Sequence, residues 1–348
     1  MKKRFIKGLL ITIVLLVVIV TFIFYTIMQP ISNEREVVVF EVNSGDSVSG
    51  VAKRLQEEGF IRSAYYMRFV ASNDELTAIK AGKYALDKSW DVKEILETIN
   101  DASKAIPDQV RVTLVEGFWA KDIARKMAEN TNVSAEELLE LWNDEEFVNE
   151  MIDRYEFLDE SIINPDTRVY LEGYLFPETY DFYSDTTARA ITLRLLDQTQ
   201  RVFERNKALF DQSELSVREI FILASIVQYE ASSQQDMGLV AGVFYNRLDR
   251  NMLLQSSVTV CYSLYEFESW LDCERQTNID SLYNTYRYAG LPPGPILNPS
   301  EMAIIATLNP TESDYLYFMA DVYGDGTVYY AETLAEHEAN VDKYLRGR

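Results

Sequence analysis

The run Gly8–Met28, GLLITIVLLVVIVTFIFYTIM, holds 21 residues and not one charge. Coiled at ~1.5 Å per residue, a helix of that length reaches about 30 Å, the thickness of a bilayer's hydrocarbon core. A cleaved leader has a shorter apolar stretch, about 7–15 residues, followed by an Ala-x-Ala-like site, and Met28-Gln-Pro-Ile-Ser32 supplies none. The sequence therefore predicts a single transmembrane helix over 8–28, after a tail at 1–7. Lys2, Lys3, Arg4 and Lys7 precede the run with no acidic residue among them. By the positive-inside rule that places the N-terminus in the cytoplasm and everything after residue 28 outside the plasma membrane.

The remainder of the chain is acidic. With the four N-terminal cations set aside, 29 Lys and Arg face 55 Asp and Glu, a net charge of −26. Such a surface repels nucleic acid and anionic lipid headgroups, so the substrate is expected to be neutral or held by local contacts. The two cysteines, Cys261 and Cys273, fall in the exported part, where a disulfide persists. A bond between them and a pair of buried thiols both fit the spacing.

After a polar linker at 29–36, Val37–Val42 reads as a strand. Asn43-Ser-Gly-Asp46 then opens a helix that stops at Gly59. A second strand is expected around Gly82–Leu86, and a helix capped by Ser89 runs through Ile99. The shift at Asp101–Pro107 marks a boundary, giving one module at 37–105 and another at 106–348. The second module opens on a strand, Val110–Val115. Its helices are expected at Trp119–Asn130, Ser134–Leu141, Ala188–Leu209, Ser216–Ala231 and Gln235–Arg250. Ser216-Val-Arg-Glu219 is a capping box, which fixes the start of the helix that carries FILASIVQYE at 221–230.

The chain has one histidine, His337, without Cys or carboxylate partners at zinc spacing, and it reads as a surface or helix-stabilising residue. There is no phosphate loop, dinucleotide fingerprint or calcium loop, so neither a cofactor nor a metal is expected. Asp321-Val-Tyr-Gly-Asp-Gly-Thr327 reads as a turn between strands. What remains is carboxylate and amide chemistry among 22 tyrosines, a composition suited to carbohydrate, although most tyrosines are packing residues.

Several motifs carry a specific resemblance. Leu171-Glu-Gly-Tyr-Leu-Phe-Pro-Glu-Thr-Tyr180, Leu223-Ala-Ser-Ile-Val227, Phe244-Tyr-Asn-Arg-Leu248, Tyr283-Asn-Thr-Tyr286, Gly290-Leu-Pro-Pro-Gly-Pro-Ile296, Asn298-Pro299 and Tyr315-Leu-Tyr-Phe318 resemble, in order, the motif series of the YceG-like endolytic murein transglycosylases. The resemblance implies an α+β fold over nearly the whole chain. It would comprise a single N-terminal transmembrane helix, a small LysM-like α/β module that holds peptidoglycan, and a mainly helical catalytic domain with β-rich insertions. It also implies cleavage of the MurNAc-β-1,4-GlcNAc bond inside nascent glycan strands, leaving 1,6-anhydro ends and terminating elongation. Glycan strands are then the substrate partner, and peptidoglycan synthases and division or elongation proteins the implied protein partners.

A lyase of this kind needs only one carboxyl group. The sugar's own 6-hydroxyl attacks, and the residue that protonated the leaving oxygen takes the hydroxyl's proton, whereas a hydrolase needs a second carboxylate. The family's acid is a glutamate after the Ala-Ser-Ile-Val-like segment, a position at which this sequence has Gln228. An amide neither gives nor takes a proton at useful pH, so an inactive peptidoglycan-binding scaffold is the alternative reading. Glu230, at about 100° per residue, turns about 200° from Gln228 onto the edge of the apolar face with Leu223, Ile226 and Val227, where a raised pKa would suit an acid. It is the candidate substitute; an ion pair with Arg or Lys behind the site is the competing expectation, and a hydrolase pair with Glu172 a further one. The motifs also carry over Glu172, Tyr174, Asn246 and Arg247 as cleft-framing residues. Gln255, Tyr283, Asn284 and Tyr286 are carried over as sugar-contacting ones. Ser257 stands where the family has an aspartate, and Thr327 or Val328 where it has a histidine. The Pro-Pro-Gly-Pro stretch shapes a rim and supplies no chemistry.

Overall fold

In the computed structural model, the backbone is described for residues 2–321, 324 and 326–346, and side chains from residue 12 onward. Mixed helices and small two-stranded sheets make an α+β fold, divided into compact units at Met1–Asp108 and Gln109–Arg348.

The first unit begins with helix α1 (Lys2–Met28). The tail at 1–7 and the first residues of the expected span, 8–11, have side chains outside the described residues, and among the described residues no helix is long and apolar enough to cross a membrane. Strands β1 (Val37–Val42) and β2 (Gly82–Asp87) then form an antiparallel ribbon, Val37 opposite Asp87 and Val42 opposite Gly82. Helices α2 (Val48–Glu57), α3 (Ala64–Asn73) and α4 (Val92–Asn100) cover it, enclosing Phe40, Leu55, Tyr84, Leu86 and Ile95. The expected cap at Ser89 is two residues early. Asp91 accepts from the backbone of Lys93 and Glu94, and Glu94 closes a capping box, while the Ser89 hydroxyl donates to Asp87. A carboxylate followed three residues later by Glu satisfies two N-terminal donors at once, which a lone serine cannot do.

The second unit runs β3 (Gln109–Thr113), α5 (Ala120–Ala128), α6 (Ala135–Leu141), α7 (Glu145–Arg154), β4 (Thr179–Tyr183), α8 (Ala188–Phe210), α9 (Val217–Glu230), α10 (Gln234–Asp249), α11 (Ser257–Leu264), α12 (Trp270–Glu274), α13 (Glu301–Leu308), β5 (Tyr317–Ala320), β6 (Val328–Ala331) and α14 (Leu334–Val341). β3 pairs with β4, and β5 with β6, each antiparallel. The turn expected at 321–327 lies between β5 and β6, with residues 322, 323 and 325 outside the described ones.

Helix α9 partitions this unit. Its start is set by Ser216 and Glu219, whose side chains close the capping box that the sequence predicts. Ile220, Phe221 and Ala224 pack into a core with Phe157, Tyr174 and Phe203. Leu223, Ile226 and Val227 pack into another with Val240, Phe244, Val258 and Ala303. A helix apolar on all sides is a buried helix, and each such side chain removed from water contributes about 1.5–3 kcal/mol. With both flanks fixed by packing, α9 has one rotational setting, and that decides where its polar last turn points.

Two glycines let distant motifs meet. A Cβ on Gly173, at φ +89°, would lie 2.3 Å from Pro295, so the Leu171–Tyr180 segment rests on the proline-rich rim only because that Cβ is missing. A Cβ on Gly242 would lie 2.3 Å from the Thr311 carbonyl, so the chain leading into β5 can lie against α10.

Candidate active site

Around the end of α9 a cavity of about 380 Å³ gathers Glu230, Arg247, Gln255, Ser257, Tyr286, Tyr317 and His337, with Phe318 to Ala320, Val328 and Leu334. Glu230 forms no ion pair among the described residues; its partner is the hydroxyl of Ser256, which donates to Oε1. Ser256 sits at the N-cap of α11, where a serine usually caps its own helix, but its side chain makes no such bond. It is held by buried hydroxyls. Its N–H donates to Thr285 Oγ1 at 3.0 Å, and its carbonyl accepts from Thr259 Oγ1 at 2.7 Å. Burial pushes the Glu230 carboxyl up to about 7, against the opposing pull of the Ser256 hydrogen bond; Glu274 adds to the rise and Arg247 opposes it. A carboxyl half-protonated near neutrality can start a reaction as an acid and finish it as a base.

Arg247 forms part of the cavity wall and is itself fixed. Its Nε donates to the Leu316 carbonyl and Nη1 to that of Leu254, both at 2.6 Å, so it ties β5's approach to the loop before α11. Its neighbour Asn246 does not line the cavity; Nδ2 donates to the carbonyls of Ser313 at 2.7 Å and Tyr315 at 2.9 Å, holding the same approach from the side. Gln255 has a left-handed backbone, φ +51°, with its N–H on the Thr285 carbonyl at 3.1 Å. For a residue with a Cβ such a backbone costs on the order of 1–3 kcal/mol and marks a position held by its surroundings. Tyr286 forms another part of the wall.

The remaining sequence candidates lie elsewhere, each for a visible reason. Gln228 points away from Glu230: its Oε1 accepts from the Ser300 N–H at 2.9 Å, at the start of α13, and it lines a separate cavity with Glu116, Glu178 and Glu301. Glu172 is fully buried. Its Oε1 accepts from Ala120 N at 2.8 Å and Asn298 Nδ2 at 2.9 Å, Oε2 from Tyr262 at 3.1 Å, and burial pushes it up to about 8. It joins three segments inside the unit and lines no wall of the Glu230 cavity, which removes the basis for a Glu230–Glu172 hydrolase pair. Tyr174 is a core ring, 4.9 Å from Phe221. Tyr283 packs at 4.8 Å on Tyr262. Asn284, expected to contact sugar, is buried and its amide donates to the Thr277 and Ile279 carbonyls, shaping its own loop.

The sequence reading missed Ser256, Tyr317 and His337. His337 looked like a surface residue because nothing near it in the chain is a ligand. It lines the Glu230 cavity and stacks on Tyr317, centroids 5.5 Å apart, because the β5–β6 hairpin carries α14 over the opening. Cys261 and Cys273, left open above, are joined by a disulfide that staples α11 to α12.

The model of the YceG-like family matches residues 40–343. This chain belongs to the YceG-like family. At 32% identity it is similar to proteins named endolytic murein transglycosylase. Over 93% of its own length it covers 89% of the one from Bacillus subtilis; over 91% it covers 60% of those from two strains of Streptococcus pneumoniae. The YceG-like chain thus spans about 60% of the length of the pneumococcal relatives. A solved crystal structure of a YceG-like protein from Listeria monocytogenes superposes with a TM-score of 0.61 at 32% identity, covering 88% of this chain and 99% of that one.

Proposed function

We propose that this chain is an endolytic murein transglycosylase, a lyase that cuts the MurNAc-β-1,4-GlcNAc bond of nascent peptidoglycan and leaves 1,6-anhydro ends, with Glu230 as its acid and base. The observation that carries this reading is a burial-raised carboxyl, with a hydroxyl and no cation as its bonded partner among the described residues, in a cavity walled by Arg247, Gln255 and Tyr286. Protonated Glu230 gives its proton to the glycosidic oxygen, the 6-hydroxyl of the same sugar closes on C1, and the Glu230 carboxylate takes the hydroxyl's proton. No water enters, so no second carboxylate is needed. The names of the relatives from Bacillus subtilis and Streptococcus pneumoniae support the same substrate.

The scaffold alternative rested on Gln228. Because that amide caps the start of α13 rather than lining the Glu230 cavity, it takes nothing from the chemistry. Residues 37–105 act, in this reading, as a LysM-like module that holds glycan. The segment 8–28 is a membrane anchor with its N-terminus in the cytoplasm, supported by its 21 uncharged residues and the cations before it. Tethering keeps the catalytic unit at strands close to the membrane. Muropeptide analysis of glycan strands incubated with the full chain should show 1,6-anhydro ends. New reducing ends would mean hydrolysis, and no new ends above a buffer control would mean a binding protein. Fractionation of expressing cells, with carbonate washing, should keep the chain in the membrane pellet; release by carbonate would remove the anchor.

A further inference from the structure

The chain's one imidazole stands in the same cavity as Glu230 with a ring nitrogen that has no partner among the described residues. His337 Nδ1 is buried and has no hydrogen-bond partner, while the ring is held flat by Tyr317, whose other neighbour is the Arg247 guanidinium, 5.3 Å from its centroid. Buried polar atoms in native proteins are almost always paired, so an orphan nitrogen on a ring that lines a cavity asks for a ligand atom, which a half-turn of the ring about χ2, keeping its plane, brings within reach.

Building on the proposed activity, we propose that His337 is a substrate-contacting residue whose Nδ1 hydrogen-bonds a ring hydroxyl of the sugar lodged beside Glu230. A hydroxyl both donates and accepts through one atom, so it completes Nδ1 in either tautomer. Burial, with the positive charge of Arg247, holds His337 below the usual imidazole range, so it meets the sugar neutral at neutral pH. Neutrality suits a substrate that carries no charge at the reacting rings. The stack on Tyr317 fixes the ring plane before the sugar arrives, so little rotamer freedom is lost on binding.

A single histidine makes the test clean, since selective ring labelling with ¹³C gives one Cε1 resonance. Full-length Glu230→Gln protein, unable to turn strands over, is titrated with purified uncross-linked glycan strands while that resonance and tryptophan fluorescence are followed together. The resonance is expected to move along the binding curve that the fluorescence reports. Binding by fluorescence with an unmoved resonance overturns the His337 contact alone; strands that do not bind at all overturn the proposed activity and this contact with it. In turnover, His337→Phe keeps the ring against Tyr317 but removes the hydrogen bond, and KM is expected to rise about tenfold with kcat within about threefold, His337→Gln recovering most of the loss. A wild-type KM in His337→Phe overturns the contact.

Discussion

Two cavities flank the last turn of α9, one holding Glu230 and the other Gln228, and the larger is the less equipped for chemistry. The Gln228 cavity is about 890 Å³ against about 380 Å³. Two of its carboxylates are already engaged, Glu301 with Arg205 at 2.7 Å and Asn206 at 2.8 Å and Glu178 with Gln198 at 2.6 Å, and Glu116 lines it beside them. Arg205 holds the Glu301 carboxyl below its usual range, which keeps it charged and useless as an acid near neutrality. In the smaller cavity a carboxyl has burial and one hydroxyl instead of a cation. The difference lies in what surrounds the oxygen atoms, not in the amount of space.

The largest effect should come from exchanging the two residues' chemistry. Glu230→Gln is expected to lower the rate of 1,6-anhydro end formation by about 10²–10⁴ or more, with circular dichroism unchanged. Gln228→Glu should gain nothing, since its position faces Ser300. A rise of orders of magnitude in Gln228→Glu would show that the acid belongs on the other side of the helix.

Next is the staple behind the Glu230 wall. Cys261 and Cys273 are 12 residues apart in sequence and joined; opening such a loop costs about 2–4 kcal/mol. Cys261→Ser with Cys273→Ser should lower the melting temperature, with activity at low temperature largely kept. An unchanged melting temperature in the double variant would remove the staple's part in holding α11.

The pH dependence separates the cavities more finely. If Glu230 starts protonated, kcat/KM should fall as pH rises through about 7. Removing the Ser256 hydrogen bond, which favours the charged form, should move that limb upward by about one unit or less in Ser256→Ala. A downward move would contradict the bond's role. The same carboxyl carries a stability signature. Its folded pKa of about 7 exceeds its ordinary 4.5, so the folded state binds more protons between those values and stability falls as pH rises through that window. Glu230→Gln should therefore be the more stable protein at pH 8, the advantage vanishing near pH 4, as urea unfolding at the two pH values would read.

The smallest effect is expected on the other side. Gln228→Ala leaves the Ser300 N–H without its acceptor, which costs about 1–3 kcal/mol where no water replaces it, and leaves turnover within a few-fold. A loss of turnover comparable to that of Glu230→Gln would erase the contrast between the two cavities.

Much of the frame is legible in the residues. β1 falls where the β-branched run Val37–Val42 predicts it, and α9 begins at the capping box because Ser216 and Glu219 satisfy each other's backbone locally. The site was legible only in part. Arg247, Gln255 and Tyr286 reach the Glu230 cavity, but Asn284 and Tyr283 from the same motif as Tyr286 turn inward, because a loop must bury some of its polar side chains to satisfy its own carbonyls. His337 was invisible because its neighbours are spatial: Tyr317 precedes it by 20 positions and Glu230 by more than a hundred.

By itself the sequence determined that a buried helix ends in an amide and a carboxyl two residues apart, turned about 200° from one another. Helical periodicity sets that relative angle and nothing more. Which cavity each of the two faces depends on the helix's absolute rotation, and that was decided by the two cores that grip α9 from opposite flanks, Phe221 in one and Val227 in the other. Contacts between residues far apart in the chain supply that grip, and no local pattern encodes it.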